Sequence, residues 1–295
     1  MTIRRIAAAV DASEPARRAA ERALSLAVHT KAETMLVHVY DAGPAEASTI
    51  LAAEGIVERN REAGKRDMKA LVAELGAPET PTLSRLGHDV PGTICEAARE
   101  LEADLLVVGT IGRTGVSRFF LGSVAENVMR RAHCPVWVER PSDPIIRDVN
   151  RLVVCTDLSP LSEAALSLSA ELAAELGCTV ELVYAFEAPY RGLSIDVRRD
   201  LIAELREQLT QLGSKYFEGS APRVTIVEGA NVVDGITAHA SRISADLLVL
   251  ASHGRTGLSR VFMGSVAERV ARFAPCSVLV ARSPVERSTQ GADGG

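Results

Sequence analysis

Ala103-Asp-Leu-Leu-Val-Val-Gly-Thr-Ile-Gly-Arg-Thr-Gly-Val-Ser-Arg-Phe-Phe-Leu-Gly-Ser-Val-Ala-Glu126 returns later in the chain as Ala245-Asp-Leu-Leu-Val-Leu-Ala-Ser-His-Gly-Arg-Thr-Gly-Leu-Ser-Arg-Val-Phe-Met-Gly-Ser-Val-Ala-Glu268. Followed outward, residues 87–138 overlie 229–280 without a gap and 27 of the 52 positions are identical, so the chain is a tandem duplication. The beginnings correspond as well, with Ile6-Ala-Ala-Ala-Val-Asp-Ala-Ser13 against Leu152-Val-Val-Cys-Thr-Asp-Leu-Ser159. Residue 6 answers to 152 and residue 103 to 245, so the offset drops from 146 to 142 across the variable middle of each copy. That middle reads as a long surface connection and a polar helix. The expected organisation is a first domain over 1–140, a linker over 141–149 containing Pro141-Ser-Asp-Pro144, a second domain over 150–282, and a disordered tail from 283 to 295 with little apolar content.

Within each copy short apolar runs alternate with longer stretches of helical period, the pattern of a parallel sheet covered on both faces. The expected strands are Arg5–Val10, Met35–Tyr40, Thr82–Leu86, Leu105–Gly109 and Val136–Glu139, then Leu152–Thr156, Val180–Ala185, Val224–Glu228, Leu247–Ala251 and Val278–Ala281. After Ser13 as N-cap, Ala16, Ala19, Ala20, Ala23, Leu24 and Ala27 fall at helical spacing, small enough for close approach to the sheet. The fold class is therefore α/β, two doubly wound domains in tandem.

With 295 residues, 47% hydrophobic and 24% charged, each copy can bury its own core. A net charge of −5 argues against a protein built to grip nucleic-acid phosphates. No apolar run approaches the ~18 residues of a membrane span, and the first apolar run ends at Asp11 without a cleavage pattern, so a cytoplasmic location is expected. Cys95, Cys134, Cys155, Cys178 and Cys276 lack C-x-x-C spacing and read as reduced thiols.

Three features recur at the carboxyl edge of each sheet, where open α/β folds bind ligands. Strand one ends in Asp11 or Asp157, an acceptor for hydroxyls or an orienter of its own turn. Strand four enters a loop, Gly109-Thr-Ile-Gly112 or Ala251-Ser-His-Gly254, and Gly122-Ser123 or Gly264-Ser265 then opens a helix. Glycines allow positive φ and close backbone approach, and a helix N-terminus offers unpaired amides, together a cradle for phosphate. The blander reading is that Ser123-Val-Ala-Glu126 and Ser265-Val-Ala-Glu268 are capping boxes, each serine only closing its helix. Arg113, Arg118, Arg255 and Arg260 repeat with the loops and could meet phosphates, though surface arginines are usually only solvated, and His253, replaced by Ile111 in the first copy, cannot be a base common to both.

G-x-x-G, nine residues, then G-S, preceded by a strand and paired with an early Val-Asp-x-Ser, resembles the ATP-binding branch of the universal stress protein family. Gly109, Gly112, Gly122 and Ser123 match in full, and the second copy departs at Ala251. The resemblance implies five parallel strands per domain in order 3-2-1-4-5, adenine near the ends of the first two strands, and phosphates on the glycine loop. It places the first site at Ala9, Asp11, Val39, Val108, Gly109, Gly112, Gly122, Ser123 and Val124. The second falls at Cys155, Asp157, Tyr184, Leu250, Ala251, Gly254, Gly264, Ser265 and Val266, Tyr184 standing where the family tends to have Val. It also implies pairing of the fifth strands into an intramolecular pseudo-dimer through Val136–Val138 and Val278–Val280, open to further homodimerisation. The expected ligand is ATP, with Mg²⁺ or Mn²⁺ held mainly through its phosphates. The expected role is a nucleotide-responsive regulator acting on an unidentified protein partner. A nucleotide-free scaffold and an enzyme are the alternatives, and the enzyme would be at most a slow ATPase: no G-x-x-x-x-G-K-[ST] lysine is present and no repeated carboxylate pair is placed to activate water.

Overall fold

The computed structural model describes residues 2–11, 13–40, 50–110, 121–141, 148–187, 194–252 and 263–282. The first copy runs β1 (Arg5–Val10), α1 (Glu14–Thr30), β2 (Glu33–Tyr40), α2 (Ile50–Glu74), β3 (Thr82–Leu86), α3 (Val90–Glu100), β4 (Leu105–Gly109), α4 (Ser123–Arg131) and β5 (Val136–Glu139). The second repeats it with β6 (Arg151–Cys155), a 3-10 turn (Pro160–Ser162), α5 (Glu163–Leu176), β7 (Thr179–Glu187), α6 (Ile195–Tyr216), β8 (Arg223–Gly229), α7 (Val232–Arg242), β9 (Leu247–Ala251), α8 (Ser265–Phe273) and β10 (Ser277–Ala281). Each copy forms a parallel sheet in the order 3-2-1-4-5, and the two join into one ten-stranded sheet, β3-β2-β1-β4-β5-β10-β9-β6-β7-β8.

Strands flanked by helices on both faces have no polar side to show, which is why β4 reads Leu-Leu-Val-Val, all four buried. Successive residues serve opposite cores. Ala7, Leu106 and Val136 pack with α3, α4, α7 and α8 on one face, while Ala8, Leu105 and Trp137 pack with α1, α2, α5 and α6 on the other. Ser13 caps α1 as its sequence position predicts, its side chain accepting from the Ala16 amide. Asp104 and Asp246, the repeated Asp of Ala-Asp-Leu-Leu, are architectural: each accepts the two amides that open the neighbouring first strand, Arg4 and Arg5 or Asn150 and Arg151, at 2.9–3.0 Å. They lie at the amino ends of the strands, away from the ligand edge.

The copies meet where β5 runs antiparallel to β10, with Val138 opposite Val278 and Val136 opposite Val280. Behind this seam lies a buried polar cluster. Arg22 Nε donates to Glu139 Oε2 at 3.0 Å, Trp137 Nε1 to the same oxygen at 2.7 Å, and Ser277 Oγ from the second copy at 3.0 Å. The Arg22 guanidinium also stands 5.4 Å over the Trp137 ring.

Candidate functional site

At the carboxyl ends of β1, β2 and β4 the chain leaves a cavity of about 560 Å³. Its walls bring together Ala9, Asp11, Val39, Val108 and Gly109 from the strand ends with Gly122, Ser123 and Val124 from the start of α4. Gly112, also expected there, lies outside the described residues, as do Gly254, His253 and the four loop arginines. One end of the cavity is polar. The amides of Ser123, Val124 and Ala125 occupy the first turn of α4, and the first helical bond is Glu126 N to Gly122 O at 3.0 Å. Those three amides therefore face outward without intrahelical partners. Beside them Thr110 Oγ1 is buried on the cavity wall and lacks a hydrogen-bond partner among the described residues.

The other end is built by groups that the sequence reading missed. His38 is buried and donates through Nδ1 to the Val10 carbonyl at 3.0 Å. Helix α2 closes over it at Gly64, where a Cβ would stand 2.8 Å from the imidazole ring. Asn60, Ala63 and Asp67 complete that wall. A helix read only as polar gives no hint of which of its residues face inward, so nothing in the pattern pointed to them.

The glycines act differently from expectation. Gly122 and Gly264 have φ of −66° and −62°, outside the left-handed region, and each is the N-cap of its helix. Ser123 and Ser265 are thus the first helical residues and make no capping bond, so the capping-box reading is corrected. Both hydroxyls sit exposed at the helix mouth. The amides of Gly122 and Gly264 are not part of the cradle either, since they donate to the Thr110 and Ser252 carbonyls. Gly109 also avoids positive φ. It is small because α1 begins on top of it: a Cβ would meet the Pro15 carbonyl oxygen at 2.5 Å.

The sequence model of the universal stress protein family matches residues 2–140 and again 149–282. The chain belongs to the universal stress protein family. It is 32% identical over 191 residues to the universal stress protein Rv2005c of Mycobacterium tuberculosis, and the match spans 61% of this chain and 62% of that relative's length. It is 37% identical over 141 residues to the universal stress protein MJ0531 of Methanocaldococcus jannaschii, covering 46% of this chain and 81% of that one. The crystal structure of a universal stress protein from Archaeoglobus fulgidus superposes with a TM-score of 0.71 at 18% identity, over 94% of this chain and 98% of that one, which establishes a common fold.

In the second universal stress domain, Asp157 Oδ1 accepts the Ser159 amide at 3.0 Å and the Ser159 hydroxyl at 2.5 Å. In the first, Asp11 Oδ1 accepts the Ser13 amide at 2.9 Å, so both aspartates orient the turn behind them with one oxygen. Leu158 is held at φ 64° inside the second turn, its amide bonded to Thr156 Oγ1 at 3.0 Å. Cys155 takes the place of Ala9 and is buried, which pushes its thiol up to about 12 and leaves it inert. Leu250, the residue before the end of β9, lies in the core, while Val266 stands exposed beside Ser265 in the first turn of α8.

The strand register reassigns Tyr184. Ala9 pairs with Val37 and Cys155 with Val183, so Val39 corresponds to Ala185 and Tyr184 to His38. Tyr184 and Ala185 belong to opposite cores, the one-residue slip that exchanges faces in a strand. The loss of Val is thus replaced by Ala on the site side.

Ala251 is the last residue of β9 and has no positive φ. Near it the chain makes the 3-10 turn Pro160–Ser162 before α5 begins, where the first domain enters α1 directly at Glu14-Pro15. The two positions should respond unequally. Gly109→Ala is expected to cost ~1–3 kcal/mol by pushing on Pro15, whereas Ala251→Gly should cost ~0.5–1 kcal/mol through chain entropy alone. Urea midpoints of the two variants read the difference, and an unchanged Gly109→Ala midpoint would show that α1 yields freely.

Proposed function

We propose that both domains bind ATP, and that the protein is a nucleotide-responsive regulator acting on a protein partner in stress adaptation. The observation that carries this reading is the cavity of about 560 Å³, which falls in the range of small-molecule sites. Its open helix end suits an anion, and the apolar side chains of Val39 and Val108 at the strand ends suit the face of a flat ring. The buried Thr110 hydroxyl on the wall, without a partner among the described residues, suits a hydrogen bond to a ligand oxygen. The second domain repeats the helix mouth at Gly264–Ser265 and the aspartate turn at Asp157. Mg²⁺ or Mn²⁺ would enter with the phosphates.

Denaturing purified protein and counting the released nucleotide by mass and absorbance tests the proposal, alongside calorimetry with ATP and Mg²⁺. Two nucleotides per chain are expected. No heat at millimolar ATP and no released nucleotide would end it. A single nucleotide per chain would confine binding to one domain.

A further inference from the structure

We infer that Arg130 and Arg272 set the anion affinity of the two domains jointly, each acting across the domain junction on the other's ligand-binding helix. This rests on the reading that a phosphate group meets the first turns of α4 and α8. Glu126 and Glu268 stand at the ends of those first turns, each three residues after the opening serine and about 4.5 Å along the helix axis from it. A bare carboxylate there would oppose any anion at the helix mouth, at a range comparable to the ~8–10 Å over which salt screens charge.

Neither carboxylate is bare. Arg130 Nη2 lies 3.2 Å from Glu126 Oε1 in its own helix and 2.7 Å from Glu268 Oε2 in the other domain. Arg272 Nη2 lies 3.0 Å from Glu126 Oε2 and 3.6 Å from Glu268 Oε1. The four side chains close a ring with two charges of each sign, and no member can be removed without unbalancing both helix mouths. The same two helices are clamped at their other ends by the opposite domain. Arg140 donates to the Ala271 and Arg272 carbonyls, and Arg282 to the Met129 carbonyl. A charge change in the ring therefore acts on helices still held near their carboxyl ends by Arg140 and Arg282 and reaches the ligand as a change of field.

Removing an arginine leaves the ring with one excess negative charge, and removing a glutamate leaves one excess positive charge. The two substitutions should move anion affinity in opposite directions. A ring that only fastened the domains together would make every substitution weaken binding.

The test uses the full chain carrying Gly264→Glu, so that only the first domain's site is read, with inorganic tripolyphosphate and ATP as probes in calorimetry at low salt. Arg272→Gln, a change in the second domain, is expected to weaken binding of both probes at the first site roughly three- to tenfold. Glu126→Gln should tighten it by a similar factor, Arg272→Lys should keep most of the parent affinity, and the differences should shrink near 1 M salt. Weakening by both Arg272→Gln and Glu126→Gln, or no change with either, would overturn the inference. Tripolyphosphate binding without ATP binding would sink the nucleotide reading and leave the ring to be judged on the anion alone. Binding of neither probe would sink both.

Discussion

Replacing Arg22 by Met is expected to destabilise the folded chain by about 3–5 kcal/mol, the usual consequence of stranding a buried charge. Glu139 is 2% exposed and sits where β5 meets the second domain. Its Oε2 accepts from Arg22, Trp137 and Ser277, and Arg22 reaches Oε1 as well through Nη2 at 3.3 Å. With Arg22 gone, the buried carboxylate keeps two neutral donors, Trp137 and Ser277, and no cation is bonded to it among the described residues. The second copy shows that the fold does not require the cluster, because Leu168, Leu279 and Ala281 stand at the positions of Arg22, Trp137 and Glu139. Arg22→Met combined with Glu139→Gln should therefore recover part of the loss, since no charge is then left unpaired. Urea unfolding of the three proteins at neutral pH measures both effects. A midpoint for Arg22→Met within about 0.5 kcal/mol of the parent would show that water or a rearranged side chain reaches Glu139.

The architecture was legible because it is written twice and in the simplest signal. Continuous apolar runs such as Leu105–Val108 and Leu247–Leu250 must be buried on both faces, and their recurrence placed ten strands within one or two residues of where they lie. Local geometry was less legible. Gly122-Ser123 looks the same in sequence whether the glycine or the serine is the cap, and only the extended backbone at Gly122, whose carbonyl takes the first helical bond, decides it. Gly109 does line the cavity, yet what leaves no room for a side chain there is Pro15, 94 residues earlier. Tyr184 was assigned one position off because the offset of 146 at the strand start was not carried through β7. The Arg–Glu ring was present in the repeated Glu126, Arg130, Glu268 and Arg272, which suit helical i,i+4 pairs. That the pairs also join across domains depends on where β5 and β10 set the two helices, information that no spacing contains.

Gly122→Glu is expected to abolish ATP binding in the first domain while leaving stability nearly unchanged, halving the nucleotide bound per chain. The backbone permits the substitution, since Gly122 lies at φ −66° and ψ 151°, ordinary extended geometry for any residue. Its amide bond to Thr110 O is a main-chain contact and can persist. The new side chain, however, starts on the cavity wall, at the mouth of α4. Its carboxylate can accept from the amides of Ser123, Val124 and Ala125, an intramolecular occupant of the place proposed for phosphate. Each anionic oxygen of ATP then meets both a filled site and a like charge, and a loss of ~3 kcal/mol or more, over a hundredfold in affinity, follows from the two effects together. Gly122→Ala separates them, because it adds bulk without charge and should retain binding within about tenfold. Calorimetry and nucleotide counts on both variants, with thermal unfolding as a control for folding, decide the matter. Parent-like ATP binding by a folded Gly122→Glu protein would place the ligand away from α4 and remove the basis of the proposed site.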